Sequence, residues 1–479
     1  MTDISSPSHP PFAPPSSSDT PALLAVPPLL SRAKPFRVSI RPPGSKSLTN
    51  RALLLAALAR GDSVIRRPLL EADDAQRMIA AVTTLGAKVT RSGQDLKITG
   101  VNGRWVVPPE GVTLDLGNAG TATRFLAAAA LLAPGPVTVD GNARMRQRPI
   151  AELAGALIHL HANIEFTGTK GCPPMKIVPP RGPAGEARAL VLPTTVSSQF
   201  ISALLLVAPW LAHDVTIKLV GEITSASYIT MTIGLLQKLG AHVQMTEDLR
   251  VTRVGPPRAV DGRSRGFGLD SFTYDTEPDA SGATYFWAAA ALIPGAVCKV
   301  QGLGPGSLQG DAVFPELLVR MGASSKPAGT DDDPAVECKG PAKLGPILAD
   351  MANMPDAAMT LAAVACFAEG TSILRGLGTL RHKETDRLAA MKNELTKVGV
   401  AVKTSVAGDE DAITITPPPG GVDCSANCER VEFETYDDHR MAMSLALVGL
   451  RRPNVWIKNP ACVNKTYPGF WGDLEKLYK

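Results

Sequence analysis

Apolar and polar positions along the chain repeat one arrangement. A polar, Gly-rich or acidic turn leads into a helix of Ala and Leu. A Gly-containing break and a β-branched strand follow, then a second, amphipathic helix ending in Gly-Ala or a near equivalent. The second-helix endings read "MIAAVTTLGAKV", "ALIHLHANI", "LLQKLGAHV", "ELLVRMGAS" and "ELTKVGVAV". Their Gly stands at 86, 240, 322 and 399, with His161 in the second copy, so the spacings are 75, 79, 82 and 77 residues. A residue of this kind at each ending predicts a helix C′ position before the next strand. The sixth copy runs out at "DLEKLYK".

Six units of this size are too long for solenoid repeats and suit two domains of three βαβαβ-like units each. The junction is expected in "GPPRAVDGRSRG", residues 255–266, rich in Gly, Pro and charge. Folded structure is expected to begin near Phe36, where "FRVSI" alternates like a strand. Residues 1–30 hold eight Pro and six Ser but no Lys or Arg, unlike a signal or transit peptide. They read as part of a disordered tail, residues 1–35.

Composition narrows the function classes. The 479 residues are 44% apolar and 20% charged, ordinary for a soluble enzyme, with only 5% aromatics. Abundant Ala and Gly point to helices packed closely through small side chains. A net charge of +4 gives no global field for nucleic acid, so any anion site must come from local clustering. No apolar run is long enough for a membrane span. The seven cysteines are scattered and read as reduced thiols. Cys424 and Cys428 form CxxxC with no second pair or His cluster, and are taken as free thiols rather than zinc ligands.

The polar residues of interest precede the first helix of each unit: Ser45–Arg51, Gly117–Arg124, Ser197–Gln199, Glu277–Ser281, Asp356 and Asp438–Arg440. Six helix N-termini could thus face one cleft, each with free N–H groups that suit anions. "PGSKS" is not a P-loop, because Ser45 stands where that motif needs Gly before the Lys. Further groups come from "RMRQRPI" (Arg144, Arg146, Arg148), "SASYIT" (Ser225, Tyr228), "LRHKETDRL" (Lys383, Glu384, Arg387) and "NKTYPGF" (Lys465). Each alone reads as a cap or a solvated charge. Together Lys46, Arg51, Arg124, Arg148, Lys383, Arg387, Arg440 and Lys465 imply substrates with several negative charges. Asp356 and Glu384 among them imply acid/base work. No HExxH, CxxC pair, GxSxG or Rossmann fingerprint occurs, so metal, nicotinamide and acyl-serine chemistry are not expected.

In order, "PGSKSLTNR", "LGNAGTATR", "RMRQRPI", "VSSQF", "PDAAMT", "KETDR" and "DDHRMAM" resemble the signatures of the 5-enolpyruvylshikimate-3-phosphate (EPSP) synthase family, from about Phe36 to Lys479. The resemblance implies an α/β fold (α+β in some schemes): a two-domain inside-out α/β barrel, each domain of three βαβαββ-like units. The domains would comprise residues 46–260, and residues 36–45 with 261–479. It implies transfer of the enolpyruvyl group of phosphoenolpyruvate to the 5-hydroxyl of shikimate 3-phosphate, by a cytoplasmic monomer. No cofactor, metal, nucleic acid or membrane is implied.

By the same resemblance, Lys46, Ser47, Arg51, Ser197, Ser198, Gln199, Ser225, Tyr228, Asp356 and Lys383 would hold shikimate 3-phosphate. Lys46, Gly120, Arg124, Arg148, Gln199, Arg387, Arg440 and Lys465 would hold phosphoenolpyruvate. Asp356 would take the 5-hydroxyl proton, Glu384 would serve the methylene carbon, and Lys46 would steady the leaving phosphate. Two positions depart from many members: Thr379 replaces Asn before the Lys-Glu-Thr-Asp-Arg motif, and Phe125 replaces Pro. Glyphosate competes with phosphoenolpyruvate in this family, and Phe125 predicts weaker inhibition than a Pro-bearing member shows. The rival readings are a UDP-N-acetylglucosamine enolpyruvyl transferase and a non-catalytic anion-binding module. The first usually has a loop Cys near the donor, and residues 1–171 contain none. Intact Lys46, Asp356 and Glu384 argue against the second.

Overall fold

The computed structural model describes residues 23–30, 34–181, 189–192, 197–211, 213–221, 223, 225–255 and 268–479. Twelve α-helices there fall into pairs: α1 (Lys46–Leu58) and α2 (Asp73–Thr84), α3 (Gly120–Ala129) and α4 (Ala151–His159), α5 (Ser198–Val207) and α6 (Ala226–Lys238), α7 (Ala280–Leu292) and α8 (Phe314–Arg320), α9 (Ala358–Ala365) and α10 (Arg387–Thr396), α11 (His439–Gly449) and α12 (Phe470–Glu475).

The two members of a pair differ in how they bury. Residues 48–58 of α1 are buried, as are all of α3, α7, α9 and α11. A helix apolar on every side belongs inside, and α1, α3 and α5 pack together in one core, α7, α9 and α11 in another. In α2 the buried positions are Asp74, Ala75, Met78, Ala81 and Val82, a single stripe. The sheets lie outside the inner helices. Five expected C′ residues adopt positive φ: Gly86 (102°), His161 (66°), Gly240 (91°), Gly322 (107°) and Gly399 (81°).

Each unit folds one small sheet, five of them four-stranded and one three-stranded among the described residues. In the second unit Val112–Asp115 lies parallel to Val137–Asp140. The latter lies antiparallel to Met175–Val178, which in turn pairs with Asn163–Phe166. The third and fifth units repeat this order.

The first and fourth units exchange their leading strands. Arg37–Ile40, just before α1, pairs parallel with Val297–Gln301 of the second core. Thr273–Asp275, just before α7, pairs parallel with Asp62–Arg66 of the first. The chain therefore crosses between cores twice, at 41–45 and 276–279. The crossings bond to each other through Ser45 N–H to Glu277 O (2.8 Å) and Asp279 N–H to Pro43 O (2.8 Å). This corrects the expected boundary at 260/261: Leu269 and Tyr274 pack in the first core. The expected junction itself, from 256 on, lies outside the described residues.

The expected tail also needs correcting. Residues 1–22 and 31–33 lie outside the described residues, but Leu23–Val26 forms a strand antiparallel to Val455–Lys458. It takes the place beside the central strand that Met175–Val178 holds in the second unit, so the N-terminal segment supplies the third strand of the sixth sheet. Val26 and Leu29 are buried in the second core, Leu29 N–H donates to Leu450 O (2.7 Å), and Tyr478 O–H donates to Pro27 O (2.6 Å). Burying each such side chain is worth about 1.5–3 kcal/mol. Deleting residues 1–29 is therefore expected to lower Tm by roughly 5 °C or more, whereas deleting residues 1–22 should leave it nearly unchanged. Equal melting of the two truncations would remove the role of this strand.

Candidate active site

The site lies where the two cores meet beyond the crossing strands. One cavity is lined by Lys46, Ser47, Arg51, Thr121, Arg124, Arg148, Ser197, Ser198, Gln199, Ser225, Tyr228, Asp356, Thr379, His382 and Lys383, among others. A smaller one adjoins it, shares six of those residues, and adds Asp74, Gly120, Glu384, Arg387 and Arg440. Lys465 stands behind Glu384, with Nζ 2.6 Å from its Oε1. Apart from Lys465, every residue that the resemblance assigns to a substrate or to catalysis lines one of these two cavities, whereas Arg146, paired with Asp140, and Glu277, bonded to Ser307, line neither.

Local folding explains each placement. Ser45 caps α1, its Oγ accepting from Leu48 N–H (3.4 Å), and sets Lys46 and Ser47 on the first turn. Ser197 caps α5 and Asp438 caps α11, presenting Gln199 and Arg440 in the same way. Ser225 precedes α6 in a left-handed conformation (φ 54°). Asp386 caps α10 and places Arg387 first.

The second core supplies a tight ionic knot. Arg387, 1% exposed, donates to Asp438 (2.8 and 3.1 Å), Asp356 (3.0 Å) and Glu384 (3.0 Å). Arg440 lies 2.9 Å from Asp356, and Lys383 3.7 Å. Burial alone would raise the carboxyl pKa of Asp356. Arg440, Lys383, Arg387 and Lys46 outweigh burial and hold it well below the ordinary range. Glu384 behaves likewise, with burial outweighed by Lys465, Arg387 and Arg148. Both depressed groups therefore add stability above the ordinary carboxylate pKa of about 4, lost as pH falls through their lowered values.

The first core supplies cations held by neutral groups. Arg51 donates to Thr232 Oγ1 (2.8 Å), Ser202 Oγ (3.1 Å) and the carbonyls of Ser47 (3.0 Å) and Tyr228 (3.3 Å). Burial lowers its pKa to about 10. Arg124 donates to the carbonyls of Gly120 (3.3 Å) and Pro149 (3.0 Å), and burial and then Arg148 lower its pKa. Arg148 reaches Asn118 Oδ1 (3.3 Å). These groups have unspent positive charge, which favours an anionic occupant.

Two features escaped sequence reasoning, and a third residue, His439, which it had named, is placed unexpectedly. Asp74 sits 3.4 Å from Lys46 and is buried, although its place at the start of α2 reads as a simple dipole complement. Asp311, from "LQGDAVF", accepts from Ser281 O–H, and burial and then Asp356 push its carboxyl up to about 7. His439 is fully buried with neither ring nitrogen hydrogen-bonded, and burial keeps it neutral. The two departures are also placed. Thr379 lines the cavity with a buried, unpartnered hydroxyl. Phe125 is a core residue, fully buried, with the Arg51 guanidinium 5.1 Å from its ring centroid. The ring packs beneath Arg51, which removes the expected reason for a shift of the Gly-rich turn.

Two inside-out α/β bodies with a cation-rich, carboxylate-bearing cleft at their join define an enzyme that handles multiply charged anions. The model of EPSP synthase (3-phosphoshikimate 1-carboxyvinyltransferase) matches residues 31–474. The chain is 40% identical over 437 residues to the 3-phosphoshikimate 1-carboxyvinyltransferase of Aliivibrio fischeri strain ES114, covering 91% of this chain and 95% of that one. It is 42% identical over 451 residues to that of Laribacter hongkongensis, covering 92% and 97%. The solved EPSP synthase of Acinetobacter baumannii superposes with a TM-score of 0.73 at 26% identity, covering 94% and 97%. The chain belongs to the EPSP synthase family and is a transferase of the shikimate pathway.

Proposed function

We propose that the cleft holds its two substrates side by side, shikimate 3-phosphate mainly on the first core and phosphoenolpyruvate between the two. Shikimate 3-phosphate lies on Lys46, Ser47, Arg51, Ser197, Ser198, Gln199, Ser225 and Tyr228, with Asp356 and Lys383 facing it. The Thr379 hydroxyl stands where many members offer Asn. Phosphoenolpyruvate lies beside it, on Lys46, Gly120, Arg124, Arg148, Gln199, Arg387, Arg440 and Lys465. Asp356 takes the proton of the 5-hydroxyl as its oxygen bonds to the central carbon of phosphoenolpyruvate. Glu384 delivers a proton to the methylene carbon, giving a tetrahedral intermediate. Phosphate then leaves, steadied by Lys46, while Glu384 recovers the proton and the double bond re-forms.

The observation that carries this reading is the knot of Arg387 and Arg440 on Asp356 and Glu384. In the empty cleft the enzyme's own carboxylates occupy cations that the anionic substrate competes for. Once the substrate draws those cations off, both carboxyl pKa values rise toward the range that acid/base work needs. Residues 46–275 and the remainder, 23–45 with 276–479, act as two bodies hinged at the crossings. The enzyme works as a cytoplasmic monomer. Phosphate release tests the reaction. It is expected only with shikimate 3-phosphate and phosphoenolpyruvate together. Release with UDP-N-acetylglucosamine in place of shikimate 3-phosphate would overturn it.

A further inference from the structure

The three arginines of "RMRQRPI" diverge. Asn142 Oδ1 accepts from Met145 N–H (3.0 Å) and a 3-10 turn, Met145–Gln147, fixes the loop. Arg146 turns outward to Asp140 (2.9 and 2.7 Å). Arg148 turns into the site. Arg144 does neither: its Nη2 crosses the cleft and donates to the backbone carbonyl of Lys383 (2.8 Å). On the opposite flank, Ser227 Oγ donates to Asn353 O (2.5 Å) and Tyr228 O–H to Asp356 (3.0 Å).

We propose that Arg144 is a positioning residue that latches the closed cleft by holding the Lys383–Glu384 peptide against the loop that carries Arg148. The carboxylate of Glu384 is fixed by its own core, through Lys465 and Arg387. Its backbone is fixed by the other core, through Arg144. One bond thereby sets the distance between Glu384 and a phosphoenolpyruvate cation four residues further along the Arg144 loop. The acceptor is a neutral carbonyl, so this contact is indifferent to which anion fills the cleft and survives when substrate takes the carboxylates' cations. It answers the self-repulsion of the empty, cation-lined walls without occupying any charge that the substrate needs.

The inference rests on the assignment of Lys383 and Glu384 to the site, and two readouts separate the two ideas. Arg146→Gln removes the same charge two residues away, outside the cleft. Arg144→Gln is expected to lower kcat/KM for phosphoenolpyruvate roughly ten- to a hundredfold, the cost of one hydrogen bond from a charged donor. Arg146→Gln is expected to stay within twofold of wild type. Small-angle scattering with saturating shikimate 3-phosphate should show wild type and Arg146→Gln contracting and Arg144→Gln contracting less, whatever Glu384 does. Arg144→Lys keeps one donor and should recover part of both losses. The latch is overturned if Arg144→Gln stays within twofold of wild type and contracts fully, or if Arg146→Gln falls alongside it.

Discussion

Asp356→Asn and Glu384→Gln are each expected to lower kcat by at least about two decades, the range for loss of a positioned acid or base. Each keeps the shape of the side chain and removes its proton chemistry. The two should differ in binding. Asp356 is contacted by Tyr228 from the first core and by Arg440, Arg387 and Lys383 from the second, so its charge also tunes the cations around shikimate 3-phosphate. Glu384 contacts Lys465 and Arg387, on the side assigned to phosphoenolpyruvate. Binary affinity for shikimate 3-phosphate, read by titration, should therefore change in Asp356→Asn and hold in Glu384→Gln. Neutralising either carboxyl also frees cations in the empty site. Phosphoenolpyruvate should then bind no worse to Glu384→Gln, while turnover collapses. Near-normal kcat in Glu384→Gln would remove it from the mechanism.

What the sequence made legible was local. The sixfold repeat shows because each unit needs the same punctuation: a left-handed residue past the second helix, where only Gly, or an adaptable residue such as His161, is comfortable. The candidate site shows because helix starts fall at like places in every unit. What stayed hidden was long-range. The exchange of leading strands leaves no local mark, since Arg37–Ile40 and Thr273–Asp275 each look like strands preceding their own helices; the family resemblance alone assigned 36–45 to the second domain, and it left Thr273–Asp275 there as well. "LLAV" at 23–26 is a short apolar run whose partner lies more than 400 residues away. The pairing of Lys46 with Asp74 is likewise invisible, because an acid at the start of α2 reads equally well as a dipole complement. Nor does a residue pattern say which of three neighbouring arginines points outward, inward or across.

Gly120→Ala is expected to raise KM for phosphoenolpyruvate by about tenfold with a smaller effect on kcat, the loss of part of one charge-assisted hydrogen bond. A methyl group built on Gly120 would stand 2.7, 2.8 and 2.9 Å from Nη2, Nη1 and Cζ of Arg148. Those contacts are too short to persist, and the backbone of α3 begins here and is buried. The mobile partner is the guanidinium at the end of a flexible side chain, so Arg148 moves and the fold survives. Displacement takes it from Asn118 Oδ1 and toward neighbouring cations, including Arg124, whose charge already suffers from its proximity. The proposed donor side of the site then loses the aim of one cation while shikimate 3-phosphate keeps its own contacts, so KM for shikimate 3-phosphate should stay within about twofold. Glyphosate, longer than the group it displaces, has less slack beside the same methyl, and its Ki should rise more than KM for phosphoenolpyruvate. Phe125→Pro offers the contrast. Its ring is buried under Arg51, so losing it should raise KM for shikimate 3-phosphate and leave the ratio of glyphosate Ki to phosphoenolpyruvate KM unchanged. If Gly120→Ala left KM for phosphoenolpyruvate at its wild-type value, Arg148 would not be a donor-side contact.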